Sequence, residues 1–441
     1  MLAFLPVKLW TRNDRELLAL AVPTFATLIT EPLLVLADTA FIGHVGSIPL
    51  AGLGLGSNVL GVVTGLCVFL AYSTTSTVAR RLGTGDTAAA FDAGRDGMAL
   101  GLVLGIVLAA VLVLGAPQII GWYRPAPEVA SQAVSYLRLV VLGLPFQLVV
   151  LASTGLLRGL QDARTPLYIA IGVNLTNIGL DALLIYGFGM GIRGSASATA
   201  TAQACSAVVL FAVVARRAAR GGASMVPSVR GMAEAARHGG WLVVRTAALW
   251  ISLTATTVVA THLGSHVLAA HQVVNSLWSF ISFALDALAI ACQSLVARRL
   301  GASDVPGAVA VMVRALGWGC VQALLAGGLL VAARPLVIGL FTPDPQLAQL
   351  LMGALVVIAF LQPLASAVFV LDGVLIGAGD TRFLALAGLA VVAVHLPMLV
   401  LVDHYRAGLI WLWIAYGGFL MARGVTLLLR ARSGRWVRVG V

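Results

Sequence analysis

Charge is scarce in this chain. Only 10% of its 441 residues are Asp, Glu, Lys or Arg, where a soluble protein carries about 25%. A surface that cannot be covered with charge, in a chain that is 60% hydrophobic, takes lipid as its solvent. Lysine is nearly missing, with Lys8 the single one. A phosphate-binding loop of the G-x-x-x-x-G-K-[ST] kind needs a lysine among its glycines, so the chain has no ATPase of its own. The four cysteines, Cys67, Cys205, Cys292 and Cys320, stand singly in apolar runs, without the spacing of a disulfide framework or a metal site. They read as small hydrophobes. HExxH, GxSxG and paired Cys/His patterns are missing too, which argues against a membrane-embedded enzyme. The chain does not open with a signal-peptide layout of charge, short apolar core and small-residue cleavage site.

What the chain does have is long apolar stretches, among them 98–120, 166–187, 243–263, 316–333 and 383–402. Each is close to the roughly 20 residues a helix needs to cross a bilayer, and there are about twelve of them. Lipid offers no partner to an open backbone group, so these stretches must be helices. The alternating pattern of a membrane barrel is not there. The expected fold is an all-α integral membrane protein of twelve transmembrane helices.

A formal net charge of +11 is by itself compatible with nucleic-acid binding, but position argues otherwise. Arg80 and Arg81, Arg216, Arg217 and Arg220, Arg298 and Arg299, and Arg430 and Arg432 fall in one set of loops and ends. The alternate loops hold only Arg124, Arg193, Arg334 and Arg406. That bias is the positive-inside rule. It places both termini in the cytoplasm, requires an even number of crossings, and leaves no role for nucleic acid.

The chain is also doubled. An offset of 218 residues lays "HVGSIPLAGLGLGSNVLGVVTGLCVFLAYSTTSTVARRLGTGD" from His44 on "HLGSHVLAAHQVVNSLWSFISFALDALAIACQSLVARRLGASD" from His262 without a gap. The same offset pairs Pro117 with Pro335, Pro127 with Pro345, and Pro145 with Pro363. One unbroken offset over such a distance marks duplication. Each half holds about six helices, an even number. The halves therefore point the same way, as two six-helix lobes in a parallel pseudo-two-fold repeat. The expected division is an N-lobe over 1–215, a cytoplasmic linker over 216–238 and a C-lobe over 239–441.

Duplication separates scaffold from specialised chemistry. Loop acids recur: Asp86 matches Asp304, and Asp162 matches Asp380. Acids within the apolar stretches do not: Asp38 meets Thr256, Asp181 meets Leu399, Asp286 meets Val68, and Asp372 meets Thr154. A charged acid at mid-membrane costs about 2.5–3.5 kcal/mol on insertion scales. It can serve only to tie helices together, but several of these have polar company at helical spacing. Thr24, Thr27, Glu31 and Asp38 share one face, as do Asn174, Asn177 and Asp181. In "GSASATATAQACS", Ser195, Thr199, Gln203 and Ser206 line a helix otherwise made of small residues, which lets neighbours approach closely. In the C-lobe, His271 or Gln272, Asn275, Ser279, Ser282 and Asp286 form another such set. Acids caged by oxygen donors can take up H⁺, or hold Na⁺. Either ion would compete with a cationic substrate, and that competition is antiport. Pro23 and Pro32 each remove a backbone hydrogen bond from the first helix and permit it to bend.

These blocks carry a resemblance. "ADTAFIGHVGSIPLAGLGLGSNV" (37–59), "RRLGTGD" (80–86), "LLRGLQDARTPL" (156–167), "NLTNIGLDALLIYGFGMGIRGSASATATAQ" (174–203) and "LAAHQVVNSLWSF" (268–280) resemble the multidrug and toxic compound extrusion (MATE) family. The match is nearest to its DNA-damage-inducible F (DinF-like) branch, and it covers essentially the whole chain. The resemblance implies a two-lobe secondary exporter in the bacterial plasma (inner) membrane. Such an exporter expels small cationic or amphipathic organic compounds against H⁺ or Na⁺, without another cofactor, as a monomer in the bilayer. It implies Asp38, Asn177, Asp181 and Thr199 as the ion-coupling residues, and as the metal ligands if the ion is Na⁺. Glu31, Thr154, Asn174 and Gln203 are implied as cavity-lining, with Asn275, Asp286 and Asp372 as C-lobe cavity candidates and Pro23 as the hinge. The competing reading is a flippase for a lipid-linked precursor. Such a protein meets pyrophosphate with cations, whereas intramembrane cations here are few: Arg138, Arg245 and Arg423.

Overall fold

The structure, a computed structural model, describes residues 10–440. Lys8 and both chain ends, expected on the cytoplasmic side, lie outside the described residues. Among the described residues, twelve helices are long and apolar enough to cross a membrane. They are α1 (Arg12–Gly43), α2 (Ser47–Gly83), α3 (Thr87–Gly121), α4 (Pro127–Gly159), α5 (Arg164–Gly187), α6 (Ile192–Arg220), α7 (Val229–His262), α8 (Ser265–Gly301), α9 (Val305–Ala332), α10 (Pro345–Gly377), α11 (Thr381–His404) and α12 (Gly408–Arg432). Shifted by 218 residues, the bounds of α2 and α4 fall on those of α8 and α10. The protein is an all-α, multi-pass membrane protein, as expected. Large apolar side chains such as Leu114 (77% exposed) and Phe360 (80%) stay outside, because lipid tails are as apolar as they are.

The recurring loop acids serve the scaffold. Asp86 caps α3 by accepting the Ala89 N–H at 2.8 Å. Asp304 caps α9 by accepting that of Gly307 at 2.9 Å. Each offsets an orphan N–H of a helix start. Asp162, in the loop before α5, accepts from the Thr165 N–H and hydroxyl and from Arg217 at 2.7 Å. Burial works to raise its pKa, but those donors together hold it below the usual carboxylate range.

Close helix crossings are built on glycine in both halves. A Cβ on Gly155 of α4 would lie 2.6 Å from the Ala71 carbonyl oxygen of α2. At the repeated positions, a Cβ on Gly373 of α10 would collide with the Ala289 carbonyl of α8. The obstacle is backbone and cannot swing aside. Gly155→Ala and Gly373→Ala are each expected to destabilise by about 1–3 kcal/mol, the usual cost of overpacking. Thermal unfolding in detergent reads this directly, and unchanged melting in both variants would contradict the crossing.

Contacts divide the chain into two compact units. One comprises the segment ending at Phe25 together with Val244–Gly440; the other is Ala26–Val243. Neither cut falls where the linker was expected, at 216–238. Phe25 and Val243 are themselves one repeat apart, so the same step occurs twice. The opening turns of α1 belong with α8–α12, and the opening turns of α7 belong with α2–α6. Polar side chains explain both. In the first unit, Asp14 near the start of α1 accepts from Arg314 and, at 2.8 Å, from the Trp318 indole, both on α9. In the second, the Ser228 N–H before α7 donates to Asp96 of α3 at 2.9 Å. Asp96 and Arg314 occupy the same place in the repeat. Within 216–238 only residues 221–228 lie outside helices. They are tied down, since Arg95 of α3 donates to the Ser224 carbonyl at 2.9 Å.

Candidate functional site

The second unit assembles the four residues singled out for ion coupling. Asp38 lies on α1 beyond the unit boundary, Asn177 and Asp181 on α5, and Thr199 on α6. Small residues bring these helices together. A Cβ on Gly194 of α6 would come within 2.9 Å of the Leu184 carbonyl carbon of α5. One on Gly143 of α4 would come within 2.9 Å of the Ala200 Cα of α6. Asp38 is 7% exposed, and Asn177 and Asp181 are fully buried. The Asn177 amide, oriented to satisfy both neighbours, donates to Asp181 Oδ2 at 2.8 Å and accepts from the Thr199 N–H at 3.2 Å. The carboxyl groups of Asp38 and Asp181 lie within hydrogen-bonding reach of one another. A carboxylate only accepts, so such a bond exists only while one of the two carries a proton.

Four oxygens around this pair are buried without a hydrogen-bond partner: Asp38 Oδ1, Asp181 Oδ1, Ser195 Oγ and Thr199 Oγ1. Buried polar atoms are nearly always paired, and this cluster of unpartnered oxygens departs from that rule. The antiparallel register of α5 and α6 sets Asn177 level with Thr199, and therefore Asp181 level with Ser195. All the donors are oxygen, which suits H⁺ and suits Na⁺ equally.

The other cavity candidates fall less uniformly. Asn174 is half-buried and donates to the Thr30 carbonyl at 3.0 Å, binding α5 to α1. Glu31 is exposed, while Thr154, Gln203 and Pro23 are half-buried. Asn275 and Asp286, on α8 in the other unit, are also half-buried. Asp372, expected to line the cavity, is engaged in ion pairs. At 4% exposure its carboxylate is held between Arg245 of α7 and Arg423 of α12, the latter at 2.7 Å. The spacing along one helix could not show this, because the three members come from three helices.

One neighbour of the site went unrecognised in the sequence. Tyr136 of α4, 3% exposed, lies close enough to feel the charges of both Asp38 and Asp181, and its hydroxyl accepts from Ser57 of α2 at 3.3 Å. A lone tyrosine in "SQAVSYLRLV" carries no spacing signal. Only the packing of α4 reveals its place.

Comparison with known proteins places the chain in a family. The sequence model of the MatE family matches residues 23–183 and 242–401. The chain is 31% identical over 441 residues to the chloroplastic protein DETOXIFICATION 44 of Arabidopsis thaliana, covering 96% of this chain and 83% of that one. It is 29% identical over 462 residues to the DNA damage-inducible protein F of Escherichia coli, covering 97% and 94%. Among solved structures, a transporter of the MOP superfamily from Pyrococcus furiosus superposes with a TM-score of 0.87 at 20% identity, covering 97% of both chains.

Proposed function

We propose, because the chain belongs to the MatE family of multidrug transporters, that it exports small cationic or amphipathic organic compounds in exchange for H⁺ or Na⁺. The family consists of transporters and not enzymes, and the substrate class and the coupling ion are the added steps. The observation that carries them is the buried Asp38–Asp181 carboxyl pair with its open oxygens. With a proton on the pair, its negative charge is reduced. With the proton gone, two carboxylates share one site in a low-dielectric interior, and an organic cation is drawn in to balance them. Ion and cargo compete for one charge, so loading the first expels the second. Na⁺ coordinated by Asp38, Asn177, Asp181 and Thr199 would act in the same way.

Alternating access needs a bend. α1 passes from one compact unit to the other between Phe25 and Ala26, two residues after Pro23. Proline has no N–H to give to the helix ladder and weakens it there. Glu31, Thr154, Asn174 and Gln203 are then the residues a cargo would meet in the second unit. The lipid-flippase reading loses ground, because Arg245 and Arg423 are already engaged by Asp372. The location that accompanies this reading is a bacterial inner membrane, with both termini cytoplasmic.

The test is reconstitution into liposomes, with export of a fluorescent organic cation followed under a proton gradient and, separately, under a sodium gradient. Export driven by one gradient and not by the other identifies the coupling ion. Export indifferent to both would overturn antiport. Binding of a lipid-linked pyrophosphate without any cation export would replace this reading by the flippase.

A further inference from the structure

We infer that the second unit holds a binding site for the phosphate headgroup of an anionic phospholipid. It lies between α3, α4 and α6, at the end opposite the arginine-rich loops. A cavity of about 920 Å³ opens there, within the size range of ligand pockets. Arg138, Arg193, Ser131, Ser135 and Ser197 supply its polar lining, and among the described residues no carboxylate lines it. The repeat shows that this lining is an addition. The offset of 218 residues carries Arg138 onto Val356, Ser135 onto Gly353, Arg193 onto Trp411 and Ser197 onto Ala415. The frame itself recurs, since Pro117 and Pro127 meet Pro335 and Pro345. The corner therefore folds without its cations, as it does in the first unit.

The hydrogen bonds aim the donors. Arg138 Nε donates to the Val113 carbonyl of α3 at 3.3 Å. Arg193 Nε donates to Ser135 Oγ of α4 at 2.8 Å. Each guanidinium is thus held at Nε, and among the described residues its terminal amino groups meet no carboxylate. Ser135 Oγ accepts from Arg193, so its own hydrogen is left for a ligand. A planar fork of N–H donors matches the oxygens of a phosphate and grips two at once. Helices α4 and α6 both begin at this end, and the start of a helix favours negative charge. Two cations, hydroxyl donors and two helix starts converge on one cavity, and together they select an anion.

Position selects a lipid over a soluble anion. Tyr136, two residues before Arg138, is buried on the side of the carboxyl pair. Two residues along a helix are about 200° apart, so Arg138 faces away from that pair. On α6, Arg193 and Ser197 stand in the same relation to Ser195 and Thr199. Beyond Arg138 the exposed side of α4 continues with Leu142 and Phe146, and that of α3 carries Val111 and Leu114. Large apolar side chains left outside in this way meet lipid tails. Arg138 lies ~16 Å along α4 from its start at Pro127, at the usual rise per residue. A cation that far into the membrane is expensive unless it meets a counter-charge or reaches the interface. An anionic phospholipid answers both needs. Its phosphate pairs with the arginines, and its tails lie along the apolar faces of α3 and α4. Basic pockets between membrane helices bind anionic headgroups on this principle. The site is on the back of the helices that carry Tyr136 and Thr199, so it is not a flippase path. It stands whether or not the carboxyl pair exchanges ions.

The test is native mass spectrometry of the full chain in neutral detergent, titrated with a short-chain phosphatidylglycerol. Short-chain phosphatidylcholine and inorganic phosphate are titrated separately. The expected result is phosphatidylglycerol bound more tightly than either of the others. Hydrogen bonds to charged groups are among the stronger ones, so Arg138→Gln and Arg193→Gln should each weaken it by about tenfold. Arg124→Gln, an exposed cation at the same end but outside the cavity lining, should leave it unchanged. Equal binding of the two lipids, or undiminished phosphatidylglycerol binding in both cavity variants, would overturn the inference. Inorganic phosphate binding as tightly as the lipid would replace the lipid by a soluble anion and overturn it as well. Should Arg138→Gln fail to fold, Arg193→Gln decides alone, because its side chain is exposed in the first turn of α6.

Discussion

Asp181→Asn is expected to fold, to melt near the wild-type temperature and to lose gradient-driven export altogether, and Asp38→Asn should behave alike. Asparagine matches aspartate in shape and retains a hydrogen-bonding side chain at the pair. It cannot bind and release a proton, and it brings no negative charge to a cation. Coupling between two ligands is commonly about 1–3 kcal/mol, or ~5–150-fold in affinity. The whole of it passes through these two carboxyls if they are the exchange site. In liposomes, accumulation should fall to the level of protein-free vesicles, while cargo binding in detergent should lose its dependence on pH or Na⁺. Asp86→Asn is the control. It alters only the cap of α3, of a kind worth ~0.5–2 kcal/mol when lost altogether, and leaves export intact. Full coupled export in Asp181→Asn would sink the assignment.

Asp372→Asn should do the opposite, failing first in stability. The carboxylate sits between Arg245 and Arg423 at 4% exposure. Its loss strands two buried cations, and breaking a buried ion pair from one side costs about 3–5 kcal/mol. That is a large share of the ~5–15 kcal/mol by which proteins are stable. We expect poor yield and a strongly lowered melting temperature by fluorescence-detected chromatography. Replacing all three members with neutral residues of similar volume should recover much of the loss, since an ion triad exchanged whole for apolar packing is often neutral. An Asp372→Asn variant that is as stable as the wild type, with altered cargo selectivity, would instead return Asp372 to the cavity-lining role suggested by its sequence.

Much of the molecule was legible before any coordinates. Apolar length, the sidedness of arginine and the 218-residue offset specify the twelve helices and their doubling, because lipid admits so few alternatives. Polar stripes at helical spacing included Asp38, Asn177, Asp181 and Thr199 among other residues, because periodicity along one helix is a one-dimensional signal, and the family resemblance singled those four out. The loop acids were recognisable as scaffold because both halves repeat them.

Only the tertiary structure decided which helices face one another. It put Asp372 between two arginines from α7 and α12, packed Tyr136 within electrostatic reach of the acids, and set His395 against Thr256. It also moved the unit boundaries to Phe25 and Val243, away from the arginine-rich 216–238. Each of these depends on residues far apart in the chain meeting across a packed interface. Sequence spacing records the face of one helix, whereas the partner of that face is chosen by the close packing of glycines and small side chains among several helices at once.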